Sequence, residues 1–259
     1  MWRTEKAVSR KAAGQKERMT NRITKPAIGL LLGLALLLGF VSQPAMAAKK
    51  VPVNLRVVTY KGQIVFDGTV NTGTAKIKPN ADCLGGAAGP ARTVVGPTAL
   101  GLLYQASLQY KALRPLELSD GDFGFGICGI AGVSARDKEW WVLRQNYKDT
   151  MTGAETTKVK RGDKILLYLS KSYEDTTPDS LALNAPGKVR KGAKVKVRVF
   201  KYTGAGKRSV VEGAKVSGAK GALTDAQGYT TLTITGKTRL VARQGSLIPS
   251  NRVQVSIKK

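Results

Sequence analysis

There is no histidine anywhere in the 259 residues. Its absence removes the commonest general base and the commonest metal ligand. Ser-His-Asp and Cys-His triads are excluded outright. Cysteine is almost as scarce, with only Cys83 and Cys128, and two thiols without an imidazole cannot fill an ordinary zinc site. Acidic residues are few, 17 against 43 Lys and Arg, and no spacing among them assigns a glycosidase-type carboxylate pair. Asp120-Gly121-Asp122 is an oxygen-rich stretch of the kind that can hold calcium. However, Gly124 and Gly126 stand where further ligands would be needed, so a solvated turn is expected. Asp163, after Gly162, reads as a turn residue. The chain is therefore expected not to be an enzyme, with no catalytic residue, no metal and no cofactor.

Long apolar runs are also missing, except one. Ala27–Val41 is apolar or glycine throughout. It suits the core of a secretory signal and falls short of the ~20 residues that span a bilayer. Arg3, Lys6, Arg10, Lys11, Lys16, Arg18, Arg22 and Lys25 precede it, and Pro44 and Ala45-Met46-Ala47 follow. This predicts a signal peptide over 1–47, cut between Ala47 and Ala48; the alternative is an uncleaved N-terminal anchor. The basic stretch has no Arg-Arg pair, and no cysteine at the cut could carry lipid. The mature chain is expected to be secreted or extracellular, associated with the cell wall, and without a membrane span. In that oxidising setting Cys83 and Cys128 read as one disulfide; the alternative is two buried thiols.

Charge is the strongest compositional signal. Beyond residue 47 there are 35 basic and 15 acidic residues, net +20. The excess is uneven: +7 over 48–170, −2 over 171–180 and +15 over 181–259. Such a field attracts polyanions, among them anionic cell-wall polymers; the alternative is charge spread over solvated faces. The densest run, Lys188, Arg190, Lys191, Lys194 and Lys196, is the candidate polyanion contact. No RNP-type strand, helix-turn-helix or zinc ligand set is present, so no specific nucleic-acid partner is expected.

Hydrophobic patterning divides the mature chain. Val51, Val53, Leu55 and Val57 alternate with Asn54 and Arg56, predicting a half-buried strand. Ile64–Phe66 completes a hairpin. The Gly-rich stretch 71–96 reads as a long loop with a short strand near Ala75–Ile77. Leu100, Leu103, Tyr104 and Leu108 recur at helical spacing, predicting one helix over Ala99–Leu113 capped by Thr98. Leu116–Gly132 is rich in Gly and Asp and ends its loop-like reading at Cys128. Glu139–Asn146 reads as a strand, and Ile165–Leu169 as a central strand covered on both faces. Residues 171–180 read as a linker. Beyond them Val195, Val197 and Val199 alternate with Lys194, Lys196 and Arg198. About seven short strands with no helix predict a β-sandwich over 181–259. Each half is expected to bury its own core separately.

On a strand, Trp140 and Trp141 must face opposite ways. One belongs in the core; the other is a candidate aromatic platform for a small-molecule ligand.

The motifs VPVNLRVVTY (51–60), TALGLL (98–103), WWVLRQN (140–146) and V-x-x-GD-x-ILLY (159–168) occur in an order that resembles the DUF4430 family, the transcobalamin C-terminal-like domain. The resemblance spans roughly residues 51–170. It implies a small β-grasp-like α+β domain, a ligand-binding module that in transcobalamin closes over cobalamin. It thus adds Asn146 to Trp140 and Trp141 as candidate ligand residues, and a corrinoid as an alternative ligand. Asn146-Tyr147 stands where that family usually has Asn-Gly. GAKV (213–216), TDAQG (224–228) and SNRV (250–253) resemble bacterial immunoglobulin-like modules. The expected fold class is therefore α+β: a β-grasp-like domain with one helix over 48–170, then an all-β immunoglobulin-like sandwich over 181–259.

Overall fold

The structure, a computed structural model, describes residues 50–174, 176–221 and 223–258. The signal segment expected over 1–47 and its cleavage position lie outside them. Alternating valine and leucine build the first hairpin, β1 (Val51–Val58) and β2 (Ile64–Thr72), with Val53, Leu55 and Val57 fully buried. The Gly-rich stretch holds an antiparallel pair, β3 (Ala75–Ile77) and β4 (Arg92–Val94).

The helix α1 spans Ala99–Gln109, and Thr98 caps it by accepting the Gly101 N–H at 3.0 Å. It stops short of the expected Leu113. Lys111–Leu113 forms a single 3-10 turn, and Arg114 is already extended, as a residue preceding proline must be. The next stretch, read as loop, is a three-stranded sheet of β5 (Leu116–Gly121), β6 (Gly124–Ile130) and β7 (Val133–Ser134). Cys128 of β6 is bonded to Cys83, tying this sheet to the 71–96 segment.

Strands β8 (Trp140–Gln145), β9 (Lys148–Asp149) and β10 (Lys164–Ser170) complete the lobe. Its main sheet runs β2-β1-β10-β8-β9, with β1 and β10 parallel and the other pairs antiparallel. One face, carrying Leu55, Val57, Ile165, Leu167 and Leu169, packs in a core with Leu100, Leu102 and Leu103 of α1.

The second lobe contains β11 (Ser180–Asn184), β12 (Lys188–Val189), β13 (Ala193–Tyr202), β14 (Arg208–Val210) and β15 (Lys215–Ser217). It ends with β16 (Lys220–Gly221), β17 (Tyr229–Ile234), β18 (Thr238–Arg243) and β19 (Val253–Ile257). One sheet runs β11-β13-β17-β16, with β14 also on β13; the other runs β12-β19-β18-β15. Their inner faces enclose a core that includes Val195, Val197, Val199, Leu232, Leu240 and Val255. The described chain is thus mainly β, with several sheets and a single α-helix.

Each half has its own core cluster, but the two are also joined. Val58, Ile64, Leu166 and Tyr168, on the face of the first sheet away from α1, form a third core cluster with Val241 and Ile248 of the second lobe. At about 1.5–3 kcal/mol per fully buried apolar side chain, this cluster is a large share of a domain's net stability. It also explains why β10 is covered on both faces. Arg56, expected on a half-exposed strand, is only 6% exposed because the second lobe lies over it. Its Nη1 donates to the carbonyls of Pro249 at 2.8 Å and Leu181 at 3.3 Å. Arg144 Nη1 donates to the Pro178 carbonyl, Arg243 Nη1 to Gly62 and Arg252 Nη2 to Ile64. Guanidinium groups thus bond backbone acceptors along the seam, the two held by Arg56 being buried.

Tyr147 completes the junction. The β8–β9 hairpin turns through Asn146 (φ 52°) and Tyr147 (φ 71°), a geometry that normally favours Asn-Gly. A tyrosine tolerates it here because its ring stacks on Tyr202 of the second lobe, centroids 4.1 Å apart and planes 10° apart.

Two outcomes are expected. Arg56→Met keeps the side-chain volume but strands two carbonyls, and should cost about 2–3 kcal/mol; calorimetry should show the single unfolding transition splitting into two. Cys83→Ser with Cys128→Ser releases a loop of 45 residues and should cost about 3–4 kcal/mol in a denaturant titration.

Candidate functional site

An apolar hollow of the first lobe lies beside the tryptophans. Along β8, strand β9 reaches Arg144 and Gln145, and the Thr150 N–H donates to the Leu143 carbonyl. The edge of β8 from Trp140 to Val142 therefore has no strand partner on that side among the described residues. A groove of about 550 Å³ follows this edge, walled by Trp140, Trp141, Phe125, Leu84 and Met151. Trp140 is 40% exposed and Trp141 7%, as the strand's two-residue period requires. The Trp141 indole N–H is buried and has no hydrogen-bond partner among the described residues. Leaving such a donor unsatisfied costs about 1–3 kcal/mol.

The disulfide builds one wall of this groove. Leu84, adjacent to Cys83, has φ 50° and is well exposed, and Ile127, adjacent to Cys128, lines the same hollow. Ser119 Oγ donates to the Cys83 carbonyl at 2.9 Å and fixes the segment from below. Gly126 must be small here: a Cβ on it would lie 2.6 Å from Ser119 Oγ.

Asn146 is not part of this groove. It sits at the far end of β8, roughly 20 Å from Trp140 at ~3.3 Å per strand residue. Both ends of its amide are engaged: Nδ2 donates to Asp163 at 3.0 Å, and Oδ1 accepts the Lys164 N–H at 3.0 Å. Asp163 is a buried turn residue that also accepts from Gln145 Nε2 at 2.8 Å and the Lys160 N–H at 2.9 Å. Burial alone would raise its carboxyl, but these hydrogen bonds and the Lys160 charge hold it below the ordinary carboxylate value.

A smaller cavity of about 200 Å³ opens between the lobes, lined by Arg56, Asp67, Tyr147, Lys164 and Arg252 among others. Asp67 Oδ2 accepts the Arg252 N–H at 2.5 Å. Burial raises the Asp67 carboxyl, opposed by that hydrogen bond and by the Arg56 and Arg252 charges. Burial likewise raises the Tyr147 hydroxyl, with Arg56 opposing.

Lys188, Arg190, Lys191, Lys194 and Lys196 are all exposed. Lys188 lies on the sheet of β12 and Lys194 and Lys196 on that of β13, so the run wraps one end of the sandwich. Asp120, expected in a solvated turn, is on β5, where Arg92 Nε meets it at 2.7 Å; Arg92 also reaches Glu155 at 2.8 Å. Among the described residues, no three His, Cys, Asp or Glu side chains converge to hold a metal ion. No helix among them is long and apolar enough to cross a membrane.

Leu84, Phe125 and Met151 were invisible as site residues because they lie in segments with no periodicity. The only signal was indirect: a Cys83–Cys128 bond brings their neighbours together.

Residues 106–171 match a family described as a domain of unknown function, DUF4430. The matched stretch runs from the second half of α1 through β10 and includes both tryptophans. No curated protein matches the chain. Among solved structures it is similar to haptocorrin in complex with Cbi, at 19% identity and a TM-score of 0.34, over 48% of this chain and 26% of that one.

The Asp163 cluster sets an expected pH response. A carboxyl held below its unfolded value stabilises fully above the ordinary carboxylate pKa, and that contribution is lost as pH falls through the depressed native value. Asp67, shifted upward, contributes in the opposite sense. Asp163→Asn should therefore lose on the order of 1–2 kcal/mol near neutrality and flatten the acid limb of stability below about pH 4, read from urea titrations.

Proposed function

We propose that the chain is a non-enzymatic binding protein that works outside the cytoplasm, at or near the cell surface. Its first lobe takes a flat, largely apolar small molecule in the groove beside Trp140 and Trp141. Its basic second lobe holds it near anionic wall polymer. The groove carries the reading. Its volume of about 550 Å³ falls in the range of small-molecule sites, which are mostly apolar with few polar groups. The Cys83–Cys128 bond suits an oxidising compartment, and the basic excess of 181–259 suits polyanions.

We read the first lobe as β-grasp-like, on the parallel β1/β10 pair crossed by one helix, and the second as immunoglobulin-like. The domains would then run 48–170 and 181–259, with 171–180 between them. A second reading is that the ligand is a corrinoid of cobalamin type. It rests on the DUF4430 match across β8 and on a flat macrocycle's fit to an aromatic-walled edge.

In a chain starting at Ala48, Trp140 and Trp141 are the only tryptophans, so indole fluorescence reports on the groove alone. Titration with cobalamin, cobinamide and a panel of flat apolar dyes should quench it saturably, and Trp140→Ala should weaken binding roughly tenfold. Cobalamin or cobinamide alone quenching would single out the corrinoid reading. Unchanged emission with every compound would overturn the groove assignment.

A further inference from the structure

The outward face of β13 carries more than lysine. At two-residue spacing it presents Lys194, Lys196, Arg198, Phe200 and Tyr202, while Val195, Val197 and Val199 turn into the core. Tyr229 of β17 lies directly opposite Arg198, and β14 brings Arg208 alongside. The side chains interleave. Lys196 Nζ sits 4.0 Å from the Tyr229 centroid, and Arg198 lies 4.6 Å from Tyr229 and 4.9 Å from Phe200. Arg208 lies 4.9 Å from the other end, Phe200. The result is one unbroken row: Lys196, Tyr229, Arg198, Phe200, Arg208.

Long cations on a strand ordinarily sample many rotamers, and ordering them on a ligand costs ~0.5–1.5 kcal/mol each. Here the rings have already placed them, and Arg198 Nε is further fixed on the Gln227 carbonyl at 3.1 Å. None of Lys194, Lys196, Arg198 and Arg208 is in an ion pair among the described residues. The second lobe has only two acids, Glu212 and Asp225, and Asp225 is occupied by the N–H groups of Gln227 and Tyr229. The row is a pre-set line of unpaired positive charge about 20 Å long, at ~3.3 Å per strand residue.

On the reading above that the chain works outside the cytoplasm, we infer that this row docks a linear polysaccharide carrying carboxylate groups. Guanidinium forks match carboxylates in pairs of parallel hydrogen bonds. A polymer with charge at regular intervals can follow a straight strand, which a compact anion cannot. Single-stranded nucleic acid would need free ring faces for its bases to stack on, and cations already cover these rings. The row extends the basic run at Lys194 and Lys196 with Arg198, Arg208 and two aromatic rings drawn from three strands.

The test uses the whole chain from Ala48 on immobilised polygalacturonate, eluted with salt. Two doubly substituted chains of equal net charge are compared with the parent: Arg198→Gln with Arg208→Gln in the row, and Lys61→Gln with Lys111→Gln on the first lobe. Circular dichroism confirms that each is folded, and a Lys194→Gln, Lys196→Gln chain of the same net charge repeats the comparison if the first variant is not. At about 0.1 M salt the row variant should bind roughly tenfold more weakly, and the control should stay within about twofold of the parent. Equal weakening of both would overturn the row while leaving charge-driven attachment intact. No binding by the parent would overturn both, and the fluorescence titration of the groove would be unaffected. A single-stranded oligonucleotide or anionic phospholipid vesicles binding as tightly, with the same dependence on Arg198 and Arg208, would overturn the polysaccharide.

Discussion

The first lobe has a sheet with two apolar faces and only one helix to cover them. The rest of the architecture follows from that shortage. Alpha-helix α1 takes the face of Leu55, Val57 and Leu167, and nothing in the first lobe remains to cover Val58, Ile64, Leu166 and Tyr168. The second lobe covers them by contributing Val241 and Ile248. Covering a sheet also removes water from backbone carbonyls near its rim, and a buried one needs a donor. Arg56, Arg144, Arg243 and Arg252 supply those donors. Several of the chain's many arginines thus do structural work at a seam rather than surface work. The charge excess is real, but only part of it is free to meet a partner.

What could be read from residues alone divides along physical lines. Strict alternation marked β1 and β13 because period-two burial is written directly into the order of side chains, and an unbroken apolar run marked β10, which is buried on both faces. Thr98 marked the helix start because a cap is a local feature. The 71–96 and 116–132 stretches showed β3 but hid three strands (β4 to β6), since glycine-rich segments lack the side chains that carry the alternation. Arg56 was misplaced for a different reason. Its burial depends on a lobe more than a hundred residues away, and charge on an alternating strand ordinarily points to water.

The candidate site shows the same division. Trp140 and Trp141 could be found, since adjacent aromatics on a strand must split between core and surface. The walls formed by Leu84, Phe125 and Met151 could not. Asn146 followed from a family pattern rather than from its own surroundings, and its amide is spent on Asp163 and Lys164. The basic run was legible only as far as it is contiguous. Arg198 and Arg208 join Lys196 through ring contacts between strands, which linear distance conceals.

Tyr147 carries a consequence for how such a chain can change over time. Its ring sits in a backbone geometry better suited to glycine and is kept there by Tyr202. Each half therefore presents to the other a surface it does not cover itself. Recombination that exchanged the terminal sandwich for an unrelated one would leave a greasy sheet face, a strained hairpin and four unmatched guanidinium groups all at once. The two lobes should be inherited as a couple, with drift at the seam confined to paired, compensating replacements.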